Sequence, residues 1–172
     1  KDMLDRIISI VSSGYSTKNL GTLEQILGIA VSYNRELGEL SLCMEKYINN
    51  MLDNFNMSEC NTSSVPISYT IKYTKDMTAN ESGSIKSVVE SEVEPTMYRS
   101  AVGTLLYIAR AYRFDIAYAV NTWSRFMQKP LASHWNGVKT TFKYLKKTLN
   151  YKLTYHKIPN MINILSAYVD AD

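Results

Sequence analysis

The sequence predicts an α+β chain: a β-hairpin with flanking helices, then a three-helix bundle, then an antiparallel strand pair. Three observations predict it. Apolar residues alternate with period two through Leu27, Ile29, Val31 and Tyr33, and a glycine turn follows. The pattern switches to helical spacing in three consecutive segments between residues 96 and 150. It returns to alternation in "YKLTY" and "NILSAYVD" at the end.

The first element is a helix. In "MLDRIISIVSS", Leu4, Ile7, Ile8 and Val11 recur at helical spacing, and Gly14 stops the run. "ILGIAVSY" reads as a strand, "NRELGE" as a turn containing Gly38, and "LSLCM" as the returning strand. "EKYINNMLDNFN" places Tyr47, Met51, Leu52 and Phe55 on one helical face. From 58 to 95 the chain is rich in Ser, Thr, Asn and Glu, which predicts a long connection and a boundary. The helix from 96 to 110 buries Val102, Leu105, Leu106 and Ala109. Asp115 is placed to cap a second helix with Ile116, Ala119, Val120, Trp123 and Met127 inward. "KPLAS" breaks that helix. Ser133 is placed to cap a third, with Trp135, Val138, Phe142, Leu145 and Leu149 inward. Strands at 151–156 and 162–169 pair around a loop containing Pro159. The organisation expected is therefore 1–57, a linker over 58–95, 96–150, and 151–172.

With 172 residues, 45% of them apolar, the chain can bury a core. No apolar run reaches the length of a membrane span. "KDMLDRIISI" lacks the layout of a signal peptide, and Lys1 in place of Met suggests an excised piece. Cys43 and Cys60 fit no metal spacing, with His134 and His156 the only histidines, and point to a reducing, intracellular setting. Charge is sharply divided. Residues 1–96 hold 8 Lys/Arg and 13 Asp/Glu, a balance of −5, whereas 97–158 hold 11 Lys/Arg against Asp115 alone, a balance of +10. Such a block repels itself unless an anion is near, and nucleic acid is the commonest such partner. A solvated basic surface is the alternative.

The stretch "YRSAVGTLLYIARAYRFDIAYAVNTWSRFMQKPLASHWNGVKTTFKYLKKTLNYKLTY" resembles the Pol polyprotein of copia-type LTR retrotransposons. So does "NLGTLEQILGIAV" with the LSL-type strand and "Y…ML…FNM" helix that follow. The resemblance runs from about Asn19 to Asp172. Its most specific positions are Tyr98, Gly103, Tyr107, Asp115-Ile116, Ser124-Arg125-Phe126, Pro130, His134-Trp135 and Tyr144-Leu145-Lys146. There are departures. Phe114 stands where the family usually has a proline, Cys43 where it often has a glutamine, and "GVKTTFKYL" lacks an Ala-Lys-Arg run. Such drift fits a decayed copy and a divergent active one equally.

The resemblance implies a piece of a reverse transcriptase: the end of the palm with a primer-grip-like hairpin, a thumb/connection bundle, and the first strands of an RNase H domain. The parent enzyme copies RNA into DNA with Mg²⁺ and degrades the RNA strand. The fragment would begin after the palm aspartates, so no cofactor and no complete catalytic set is expected in it. Asp170, followed by Asp172, matches the first RNase H acid and would be one part of an incomplete metal site. Expected partners are an RNA–DNA hybrid or duplex template–primer and the rest of the polyprotein, with no membrane. The expected setting is the cytoplasm, in a virus-like particle, and the nucleus. Rival readings are a retained nucleic-acid-binding or particle-interacting module, and a non-functional relic.

The same resemblance implies contact residues. Leu27 and Gly28 would meet the primer, Gly28 letting a sugar–phosphate backbone approach; a β-bulge is the alternative. Arg99, Gly103, Tyr107 and Arg110 share one face of a helix similar to the one that tracks template–primer, suited to a wide, shallow minor groove. Helix packing for Gly103 and a half-buried ring for Tyr107 are the alternatives. Lys139, Lys143, Lys146 and Lys147 form a one-signed polar face for phosphates, or a solvated one. His134 and Trp135 read as a capping histidine and a packed aromatic, since no nucleophile accompanies them.

Overall fold

The computed structural model describes residues 2–68, 73 and 91–157. These form an α+β fold with five α-helices and one four-stranded antiparallel sheet. Helix α1 (Asp2–Gly14) ends at the glycine expected to stop it, but its apolar stripe is not buried: Leu4, Ile7 and Val11 stay exposed.

The sheet runs β1 (Gln25–Ile26), β2 (Ile29–Asn34), β3 (Glu39–Cys43), β4 (Leu153–His156), each strand antiparallel to its neighbour. The expected hairpin is β2–β3, with Val31 opposite Leu42 and Tyr33 opposite Leu40. Its turn is held by the Asn34 side chain, whose Oδ1 accepts from the Glu36 and Leu37 amides at 3.1 Å. The first strand departs from expectation. Leu27 has φ 51° and Gly28 φ 80°, so these two residues turn the chain and Ile26 pairs with Ile29. Two successive positive φ values match the right-handed twist of a hairpin, which explains why the alternation through Leu27 is broken there.

Strand β4 was expected to open a separate sheet with 162–169, which lies outside the described residues. Its described partner is β3: Leu42 faces Leu153, Ser41 faces Thr154, and their hydroxyls lie 3.1 Å apart. Alternation reveals a strand but not its partner, and β3 offered a free edge of matching length.

Helix α2 (Glu45–Asn54) and helices α3 (Pro95–Ala111), α4 (Ala117–Ser124) and α5 (Ala132–Lys147) bury their faces in a common core. Ile48 and Leu52 from α2 meet Val102, Leu105 and Ile108 from α3, Trp123 from α4, and Phe142 and Leu145 from α5. Met57, at the end of the first segment, and Ile67, from the described part of the expected linker, join them. Residues 60–66 run along α5: Ser63 N donates to the Lys143 carbonyl at 3.2 Å, and Thr141 Oγ1 to the Pro66 carbonyl at 2.9 Å.

Helix starts differ in chemistry from the expected caps. α3 begins with Pro95 at its first position, and the Glu94 carboxylate accepts from Thr96 N at 2.9 Å and from Met97 N. Asp115 caps nothing. It sits in a 3-10 turn (Phe114–Ile116), and its carboxylate is occupied by Arg113 and Tyr144. At α5 the side chain that reaches back is His134, whose Nδ1 accepts from Leu131 N at 3.1 Å. His134 is fully buried and stacks on Phe126 at 3.8 Å, and Trp135 packs against Phe55, Tyr98 and Phe142. Both are structural aromatics.

Candidate nucleic-acid interface

Helix α3 carries two faces. Tyr98, Val102, Leu105 and Ile108 are fully buried, so every third or fourth residue is committed to the core. The opposite face presents Arg99, Gly103 and Arg110, all exposed. A Cβ at Gly103 would meet nothing within 4 Å, so this glycine permits no helix packing among the described residues. A mid-helix glycine costs about 1 kcal/mol relative to alanine. At Gly103 no close neighbour repays that cost.

Tyr107 is placed differently from its helical neighbours. It is half-buried, and its ring tilts against Tyr47 of α2 with centroids 5.3 Å apart. Its hydroxyl donates to the Leu27 carbonyl. Burial, and then the nearby Tyr107, push the Tyr47 phenol above its ordinary value, so Tyr47 stays uncharged through the neutral range. Gly28 meets the same cluster: a Cβ there would lie 3.2 Å from the Tyr47 ring, and its φ of +80° already favours glycine. Leu27 projects from this turn with 79% of its surface exposed. The turn of Leu27 and Gly28 and the outer face of α3 are thus joined through Tyr107. Tyr47, which joins them, has no sequence signal beyond being one of four apolar positions on α2.

The α5 lysines belong to another part of the molecule. Lys139 Nζ lies 5.6 Å over the Trp135 ring. Lys146 Nζ donates to the Cys60 carbonyl at 2.9 Å and Lys147 Nζ to Ser64 Oγ at 2.6 Å, fastening the 60–64 segment to the helix. Lys143 is half-buried beside that segment. The +10 balance therefore overstates the free cations. Arg113 is committed to Asp115 at 2.7 Å, and Lys129 lies 3.1 Å from Glu92.

Arg113 is the residue whose importance the sequence conceals. It is 2% exposed, holds both Asp115 oxygens, and donates to the Thr148 carbonyl at 3.1 Å and to Thr148 Oγ1 at 2.6 Å. The Tyr144 and Tyr151 rings flank it at 5.4 and 5.2 Å. It ties the 3-10 turn to the end of α5, upstream of β4. A signal existed in the short Arg-Phe-Asp-Ile run, but nothing in it distinguishes a buried arginine from a phosphate contact.

Asp170 and Asp172 lie outside the described residues. Among the described residues no three His, Cys, Asp or Glu side chains gather as a metal site, and no helix is long and apolar enough to cross a membrane.

Comparison with known proteins supports a retrotransposon-derived region, by homology to transposon Pol polyproteins. Its homologues are retrovirus-related Pol polyproteins of copia-type transposons. It is 34% identical over its whole length to the retrovirus-related Pol polyprotein from transposon TNT 1-94 of Nicotiana tabacum. It is 31% identical over 99% of its length to that from transposon RE2 of Arabidopsis thaliana. A transposon Ty5-1 protein of Saccharomyces cerevisiae is 29% identical over 97% of the chain. The chain spans 12%, 11% and 50% of these three proteins respectively. No family model matches the chain, and no solved structure matches it.

Proposed function

We propose that this region holds template–primer for a copia-type reverse transcriptase, with the outer face of α3 and the Leu27–Gly28 turn as contacts. In this reading the chemistry, with its Mg²⁺, belongs to other parts of the polyprotein. The observation that carries the proposal is Gly103, an open glycine in the middle of a stable helix with Arg99 and Arg110 along the same face. A bare helical backbone between two guanidinium groups suits the wide, shallow minor groove of an A-like hybrid. The arginines meet phosphates while the backbone lies close to the sugars. The α5 lysines contribute less in this reading, because two of them already hold the 60–64 segment.

The test is anisotropy of a labelled RNA–DNA hybrid at two salt concentrations. Replacing Arg99 and Arg110 together by alanine should weaken binding for all sequences alike, and should flatten the log–log salt dependence by about 2, roughly one per lost phosphate contact. Gly103→Leu should weaken binding while leaving the fold intact, because a side chain there enters open space. Unchanged affinity in Gly103→Leu would remove α3 from the interface.

A further inference from the structure

We infer that Tyr107 is a positioning residue: its hydroxyl holds the Leu27–Gly28 turn in register with helix α3, so that turn and helix engage one duplex together. The inference rests on the template–primer reading above and assigns Tyr107 a different role from a groove contact.

Four observations carry it. The Tyr107 hydroxyl is spent on the Leu27 carbonyl, 80 residues away in sequence. Its ring is fixed from the other side by Tyr47. Tyr47 in turn lies 3.2 Å from where a Cβ on Gly28 would sit, so the two tyrosines contact both residues of the turn. Leu27 itself holds a positive φ of 51° with its side chain largely exposed. A leucine rarely adopts that backbone conformation, and here no burial within the described residues rewards it. A strained residue held by a polar bond and offering an apolar side chain outward is arranged for a ligand. The sheet closes the turn itself through the Ile26–Ile29 and Gln25–Ala30 pairs and the Val31 N bond to the Glu24 carbonyl at 2.8 Å, while the Tyr107 hydroxyl ties that turn to α3.

The latch matters because two weak contacts add fully only when their spacing is set in advance. A turn free to swing would lose that advantage on each binding event. The hydroxyl is the separable part. Tyr107→Phe keeps the ring against Tyr47 and removes only the bond to Leu27.

The experiment uses the full chain and a labelled RNA–DNA hybrid. Tyr107→Phe should weaken binding about 3- to 10-fold, the scale of one hydrogen bond's net contribution. The salt slope should not change, because no cation is lost. Amide exchange should quicken over residues 25–29 and stay unchanged in α3. The effect should overlap with that of Leu27→Ala, so the double variant is little weaker than Leu27→Ala alone, and should add to that of Arg99→Ala. Full additivity of Tyr107→Phe with Leu27→Ala would overturn the latch, as would unchanged affinity. If the unaltered chain binds no hybrid, the template–primer reading fails and this inference fails with it. If the chain binds and only Tyr107→Phe is silent, the latch alone fails.

Discussion

Gly137→Ala should lower the thermal midpoint by about 4–8 °C, a large loss for the addition of one methyl group. Gly137 lies in α5 where that helix crosses Trp123 of α4, and a Cβ there would collide with the six-membered ring of the indole. Trp123 cannot give way easily. It is fully buried, its Nε1 donates to Thr141 Oγ1 at 2.9 Å, and Tyr73 meets it edge-on at 4.6 Å. Forcing a methyl into such packing costs about 3 kcal/mol. Alanine's better helix propensity returns about 1 kcal/mol, leaving a net loss of about 2 kcal/mol. Gly103→Ala provides the control, since it gains the same propensity with no collision and should stabilise the chain by about 1 kcal/mol. Thermal melts of the two variants should move in opposite directions. If both stabilise, α5 does not press on Trp123 as described.

These two glycines illustrate what the sequence could and could not reveal. Each interrupts a helical pattern, and propensity assigns each the same cost. Only the neighbours distinguish them: an indole at Gly137 and open space at Gly103. Periodicity gave the elements well, because a helix or a strand must bury one face and the spacing records which. The hairpin, α2 and the three helices after residue 95 were legible for that reason. Partner choice was not. Leu153 and Tyr155 alternate as a strand would, but nothing local says that β3 rather than a later strand lies beside them. Side-chain bonds were less legible still. Asp115 has the chemistry of a cap, and it is claimed by an arginine two residues earlier and a tyrosine 29 residues later. The candidate interface was legible as a face, Arg99 to Arg110. The division of labour within it, with Tyr107 turned inward to the hairpin, depended on a contact 80 residues away.

Replacing Arg113 should be more damaging than Gly137→Ala, and its damage should depend on pH. Arg113→Met keeps a similar apolar stem but strands the Asp115 carboxylate and leaves the buried Thr148 carbonyl without its donor. Breaking a buried ion pair from one side costs about 3–5 kcal/mol. The Asp115 side chain is 36% exposed, so water recovers part of that and about 2–4 kcal/mol is expected. Arg113→Lys should recover little of it, because one ammonium cannot reach both carboxylate oxygens and Thr148 together. The pH dependence follows from Asp115. Burial raises its pKa, but the Arg113 hydrogen bond and charge, together with the Tyr144 hydroxyl, outweigh burial and hold it below the ordinary carboxylate value. A depressed folded-state pKa gives stability that is fully present above the unfolded value, about 3.9, and lost as pH falls through the folded value. In Arg113→Met the burial remains while the guanidinium is gone, so the Asp115 pKa moves up and this acid-labile contribution disappears. The difference between the two proteins should therefore be widest near pH 7 and narrow by pH 3. Urea midpoints at those two pH values measure it directly. An equal gap at both would mean that Arg113 stabilises the chain through Thr148 and the flanking tyrosine rings, with the ionised state of Asp115 contributing nothing.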